Sequence, residues 1–150
     1  MFRGWFGQSG KIRSRDVLLA CLQSFTNHGE GEISLPEILD SALHIQEAVP
    51  LGYEFSKDIL YSSKFFRDIA ELEENGYIRQ YVYAHDSFLP KGYVTLTMLG
   101  RGHAEKTARG LPQSVLEIIA NAVDTSLTQH KSYWRLYSRA RALQLAAQAK

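Results

Sequence analysis

Apolar residues recur along this chain at helical spacing, then at strand spacing, then at helical spacing again. Leu18, Cys21, Leu22 and Phe25 follow the i, i+3, i+4, i+7 pattern of one buried face and predict a helix over about 15–27. Ser14 stands where an N-cap belongs, and Asp16 lies in the first turn, where negative charge suits the helix dipole. The run His28-Gly29-Glu30-Gly31-Glu32 reads as a turn. Ser34 as cap, with Pro36 and Glu37 in the first turn, signals a second helix whose stripe is Leu35, Ile38, Leu39 and Ala42. Ile33, just before the cap, is placed to staple onto it. From His44 to Tyr61 the periodicity fails, with Pro50 and Gly52 as breakers. Tyr53-Glu54-Phe55 fits an extended piece, and a helix from Lys57 fits as well. A third helix, over about 64–75, takes Ser62 or Ser63 as cap, Phe65, Ile69 and Leu72 as its stripe, and Gly76 as a left-handed terminator.

The period then changes to two. Tyr77–Tyr83 is rich in aromatic and β-branched residues. Tyr93–Met98 alternates, with Val94, Leu96 and Met98 on one face and Tyr93, Thr95 and Thr97 on the other. Residues 84–92 form the loop of this hairpin, and Tyr77, Tyr81, Tyr83 and Tyr93 pack it. Thr97 caps a short helix over 98–109, closed by Gly110 and weakened by Gly100 and Gly102. Pro112 opens a helix to about 128 with Val115, Ile118, Ile119, Ala122 and Val123 as its stripe; a last helix covers about 132–147.

An apolar fraction of 45% in 150 residues fits one globular domain of mainly α (α+β) class. The single cysteine, Cys21, excludes an internal disulfide and points to a reducing compartment. No apolar run approaches the roughly 18–20 residues that span a bilayer, so no membrane span is expected. Residues 1–12 lack the apolar region of a signal peptide, which leaves the cytoplasm as the expected location. The first ten residues, with Phe2, Trp5 and Phe6 among glycines, read as a flexible arm that tucks onto the domain.

Net charge is only +1, but it is unevenly placed. Residues 1–15 carry four bases and no acid, residues 16–75 carry twelve acids against Lys57, Lys64 and Arg67, and residues 101–150 carry eight bases against three acids. In the third helix Lys64 and Arg67 come early and Glu71, Glu73 and Glu74 late, an order that opposes the helix dipole. The early bases therefore serve something other than helix stability.

Catalytic signatures are missing. There is no Gly-rich phosphate loop, no nucleophile elbow and no Cys/His metal spacing. Cys21 sits in an apolar stripe and reads as a small buried hydrophobe. The five histidines fit surface or capping roles, and His103 with Glu105 lacks a third partner. Glu71, Glu73 and Glu74 form a solvated face. No catalytic residue, cofactor or metal is expected.

Two segments carry a resemblance. Phe66-Arg67-Asp68-Ile69-Ala70-Glu71-Leu72-Glu73-Glu74-Asn75-Gly76-Tyr77-Ile78-Arg79 resembles a recognition helix closing on a glycine and a strand, and Tyr93-Val94-Thr95-Leu96-Thr97-Met98-Leu99-Gly100-Arg101 resembles the end of a wing. Both are similar to winged helix-turn-helix repressors of the MarR and PadR kinds, as is Ile33-Ser34-Leu35-Pro36-Glu37-Ile38-Leu39 to their second helix. The resemblance implies an arm over 1–13 and a winged-helix core over 14–110 with a two-stranded wing. It also implies a C-terminal extension of two extra helices over 111–150. The stretch at 44–61 departs from the family as an insertion. The implied function is a DNA-binding transcriptional regulator, whose third helix enters the major groove by its N-terminal end while the wing touches the neighbouring groove or backbone. Carried onto this chain, the groove-facing residues are Ser62, Ser63, Lys64 and Arg67, and the wing residues are His85, Ser87 and Lys91. Arg101, Arg13 and Arg15 add backbone contacts to double-stranded DNA. The segment 112–147 is expected to form a homodimer, which suits a palindromic site. The acidic stretch over 16–75 favours the alternative, a winged-helix protein-interaction module acting as an adaptor or complex subunit with a protein partner.

Overall fold

The computed structural model describes residues 12–54, 62–83 and 91–128. It is mainly helical with a small antiparallel sheet. The order is α1 (Ser14–Asn27), β1 (Ile33–Ser34), α2 (Leu35–Gln46), α3 (Ser63–Glu74), β2 (Ile78–Tyr83), β3 (Lys91–Leu96) and α4 (Met98–Gly110), followed by a helix over 113–128, α5. Among the described residues no helix is long and apolar enough to cross a membrane.

The sheet has three strands, in the order β1-β3-β2. The hairpin pairs Ile78 with Leu96 and Tyr83 with Lys91. The third strand is a correction to the expected two. Ile33 and Ser34 pair with Val94 and Tyr93, so Ile33 enters the core as a strand residue, and Thr95 Oγ1 donates to the Gly31 carbonyl at 2.7 Å beside it. A two-residue strand carries no alternation to read. Along β3, Val94 and Leu96 are buried, but Met98 does not continue that face: it opens α4 and is 91% exposed.

Helix boundaries follow their caps. Ser34 Oγ accepts from the Glu37 N–H at 3.3 Å and donates to Glu37 Oε1 at 2.8 Å, a reciprocal arrangement that also explains why Glu37 tolerates burial. Ser62 caps α3, accepting from the Phe65 N–H at 3.3 Å. Thr97 caps α4 through the Gly100 N–H at 2.9 Å. At the end of α3, Gly76 adopts φ +78°. Its N–H donates to the Glu73 carbonyl and the Tyr77 N–H to the Leu72 carbonyl, which closes the helix in a Schellman motif. Ser14 differs from expectation. It is the first residue of α1, Arg13 takes the cap position with no side-chain hydrogen bond, and the Ser14 hydroxyl donates to Asp68 Oδ2 at 2.7 Å. A tertiary carboxylate has outcompeted the local amide. Gly110 likewise lies inside α4 rather than beyond it.

One buried cluster runs through all the helices and the sheet. It takes Leu22 and Phe25 from α1, Ile38 and Ile45 from α2, Phe65 and Ile69 from α3, Ile78 and Val94 from the sheet, and Val115, Ile119 and Val123 from α5. Truncating Phe25 or Phe65, both fully buried, to alanine is expected to remove about 3–5 kcal/mol. The apolar stripe of α5 is therefore buried within this chain. Ser126 fastens it further, donating to Asp40 Oδ2 at 2.7 Å while accepting from Ser41 Oγ at 2.8 Å.

The stretch after His44 is more regular than its sequence suggests. α2 continues to Gln46, and Val49, Leu51 and Tyr53 are buried. Gln46 binds the Tyr53 backbone twice, its Nε2 donating to the carbonyl and its Oε1 accepting from the N–H, both at 2.7 Å. A side chain thus substitutes for the missing strand partner. Residues 1–11 of the expected arm, Phe55 to Tyr61, the hairpin loop with His85 and Ser87, and the expected helix over 132–147 lie outside the described residues.

Candidate functional site

α3 positions the residues singled out for binding. Its stripe Phe65, Ile69 and Leu72 is buried, and Tyr53 and Phe66 meet the Phe65 ring edge-on at 5.6 and 5.4 Å. That packing fixes the helix's rotation. Ser63, Arg67, Ala70 and Glu74 consequently form its exposed face, at i, i+4, i+7 and i+11.

The four candidates on this helix separate. Ser62 is buried and holds the cap. Ser63 and Arg67 are exposed. Lys64 is half-buried: its ammonium donates to the Leu51 carbonyl at 2.7 Å and lies 5.8 Å from the Tyr53 ring centre. The awkward placement of a base early in the helix thus has a structural return, since Lys64 ties α3 to the 47–54 segment. Gly52 leaves room for it, because a Cβ there would stand 2.8 Å from Lys64 Nζ. Of the remaining candidates, Lys91 opens β3 opposite Tyr83, and Arg101 is exposed on α4.

Two of the three late acids of α3 are also committed. Glu71 pairs with Arg15 at 2.9 Å, and Glu73 accepts from the Gln80 backbone N–H at 2.9 Å and from its side chain at 3.1 Å. Asp68 is buried, and its Oδ2 accepts from Ser14 at 2.7 Å and from the Tyr53 hydroxyl at 2.6 Å. Burial, and then the Asp68 carboxylate, push the Tyr53 hydroxyl well above the usual tyrosine range. Asp40 is held by Ser126 and lies 3.7 Å from the His44 ring. Of the twelve acids counted over residues 16–75, Glu37 and Asp68 are thus buried and Glu71 is paired with an arginine.

Sequence reasoning missed three features. Arg79 is exposed on β2, an edge strand. His103 and Lys106 on α4 come beside Arg13 across a cleft, and no sequence spacing links α1 to α4. The His103 ring stacks on Tyr77 at 4.3 Å. The third is an apolar patch of Tyr81, Met98 and Leu99, all exposed around one shallow depression.

Cys21 is fully buried, and its thiol is pushed up to about 12 by that burial, against which a hydrogen bond with Ser41 acts. Among the described residues no group of three His, Cys, Asp or Glu side chains is placed to hold a metal ion. Comparison with protein-family models, with curated proteins and with solved structures found no match for this chain.

Proposed function

We propose that this chain is a winged-helix, DNA-binding transcriptional regulator that reads duplex through the exposed face of α3. The observation that carries this reading is the orientation of α3. It follows a helix–strand–helix order, precedes a hairpin whose sheet runs β1-β3-β2, and turns Ser63, Arg67 and Ala70 outward from a buried stripe. Small residues flank Arg67, so a guanidinium projects from a smooth helix face toward the guanine edge or a phosphate. Burial of Glu37 and Asp68 and the pairing of Glu71 with Arg15 answer part of the charge objection that the bare sequence raises.

Anisotropy of labelled duplexes, including the chain's own upstream region, tests this at low and physiological salt. Wild type is expected to bind with a steep salt dependence, and Arg67→Ala to lose roughly tenfold or more in affinity. Lys64 is left intact, because its loss would also release Leu51. No binding by wild type at low salt would retire the reading.

The regulator is proposed to act as a homodimer. The proposed contact lies within residues 112–147; Val115, Ile119 and Val123 are buried within the chain, so that stripe of α5 takes no part in it. A monomer mass in light scattering at high concentration would remove it. One observation favours the second reading, a protein-interaction module: Met98 is 91% and Leu99 61% exposed beside edge strand β2. Retention of a partner by wild type and its loss in Met98→Ser/Leu99→Ser, with no duplex binding, would select it.

A further inference from the structure

Two clefts share Ile12 and Arg13 as a common wall. One, of 480 Å³, opens between the start of α1, the 50–52 segment and the start of α3, with Arg13, Arg15 and Lys64 around Asp68. The other, of 420 Å³, lies between the start of α1 and the later turns of α4, lined by Arg13, Asp16, His103 and Lys106. Three elements remote in sequence thus bring their bases to one end of the molecule.

The acids here do not match the bases. Arg15 is balanced by Glu71. Asp68 is buried, and its Oδ2 is occupied by two hydroxyls. Among the described residues lining the two clefts, exposed Arg13 and Lys106 and half-buried Lys64, whose ammonium also holds the Leu51 carbonyl, stand against the half-buried carboxylate of Asp16. Arg13 and Lys106 are exposed and form no ion pair among the described residues. Lys64, at the inner end, follows exposed Ser63 in the first turn of α3, which places the band beside the N-terminal end of that helix.

We infer that Lys106, Arg13 and Lys64 form a seat for successive backbone phosphates of duplex DNA, flanking the groove that α3 enters. The inference rests on the α3 reading above and adds a surface to it. Phosphate is the fitting ligand because such contacts need point charges along a track and no base-edge geometry. The seat therefore contributes affinity equally on every sequence, whereas Arg67 discriminates among sequences.

The test is Arg13→Ala/Lys106→Ala, two exposed positions whose removal leaves the core untouched; an unchanged thermal melt confirms the fold. Anisotropy is read against salt on a preferred and a scrambled duplex. Affinity is expected to fall roughly tenfold on both alike, with a salt slope shallower by roughly two. The charge-preserving Arg13→Lys/Lys106→Arg is expected to keep the wild-type slope. A wild-type slope in the alanine variant, while Arg67→Ala still weakens binding, overturns the seat and leaves the α3 reading standing. Loss in the charge-preserving variant overturns it too. Failure of wild type to bind either duplex removes both together.

Discussion

Replacing Gly100 by alanine puts a methyl group where α4 crosses the turn after α3. A Cβ there would lie 2.7 Å from the Tyr77 carbonyl carbon and 3.0 Å from its Cα, and nearer still to the carbonyl oxygen. These are backbone atoms, so no side-chain rotation relieves the clash. The turn is itself pinned: Tyr77 N–H donates to Leu72, and the Tyr77 carbonyl accepts from Thr97 N–H at 3.0 Å. Overpacking of this kind costs about 1–3 kcal/mol, and loss of the Thr97 bond adds about 1 kcal/mol. Alanine's better helix propensity returns about 1 kcal/mol. The net expectation is a destabilisation of about 1–3 kcal/mol. Two residues on, Gly102 has nothing within 4 Å of its would-be Cβ, so Gly102→Ala keeps only the propensity gain of about 0.5–1 kcal/mol. Urea titrations followed by circular dichroism separate the two. The midpoint is expected to fall by roughly 1–2 M for Gly100→Ala and to rise by a few tenths for Gly102→Ala. A Gly100→Ala protein as stable as wild type would refute the contact between α4 and the Tyr77 turn.

Other outcomes follow from the buried polar groups. Tyr53→Phe removes a hydrogen bond to a buried carboxylate and is expected to lower stability by about 1.5–3 kcal/mol, measured by denaturant titration; no change would mean that Tyr53 and Asp68 do not meet. Ser126→Ala breaks the link from α5 to Ser41 and Asp40. It is expected to cost about 1–3 kcal/mol and to speed hydrogen exchange in α5 before α1; uniform exchange would contradict it. The alkaline limit has a definite sign. Cys21 and Tyr53 both have raised values in the folded state. Their neutral forms therefore support the fold fully below their ordinary values, and that support fades as pH rises, for Cys21 between 9.0 and about 12. Stability measured from pH 8 to 11 should fall, and Cys21→Ala should flatten the curve; a flat wild-type profile would contradict the burial.

Elements with a strong period were legible before the fold was known. The stripes of α1, α2, α3 and α5, the caps Ser34, Ser62 and Thr97, and the terminator Gly76 all sit where local chemistry put them. What escaped was tertiary. Ser14 looks like a cap until Asp68 is beside it. Strand β1 is two residues long and exists only because β3 passes it. The 47–54 segment has no period, because Gln46 and Lys64 hold it by side-chain bonds to its backbone. Gly100 and Gly102 look alike in sequence and differ only in what crosses above them. For the candidate site, the resemblance named Ser62, Ser63, Lys64 and Arg67 together, whereas the structural roles of Ser62 and Lys64 and the meeting of Arg13 with Lys106 depend on contacts that it does not carry.

The most direct test of the α3 reading is a titration of ¹⁵N-labelled protein with duplex DNA at low salt, following backbone amide shifts residue by residue. The account expects the largest changes at Ser63, Arg67 and Ala70, with a second group at Arg13 and Lys106. Changes absent from α3, or confined to Tyr81, Met98 and Leu99, would contradict it and point to the apolar patch as the working surface.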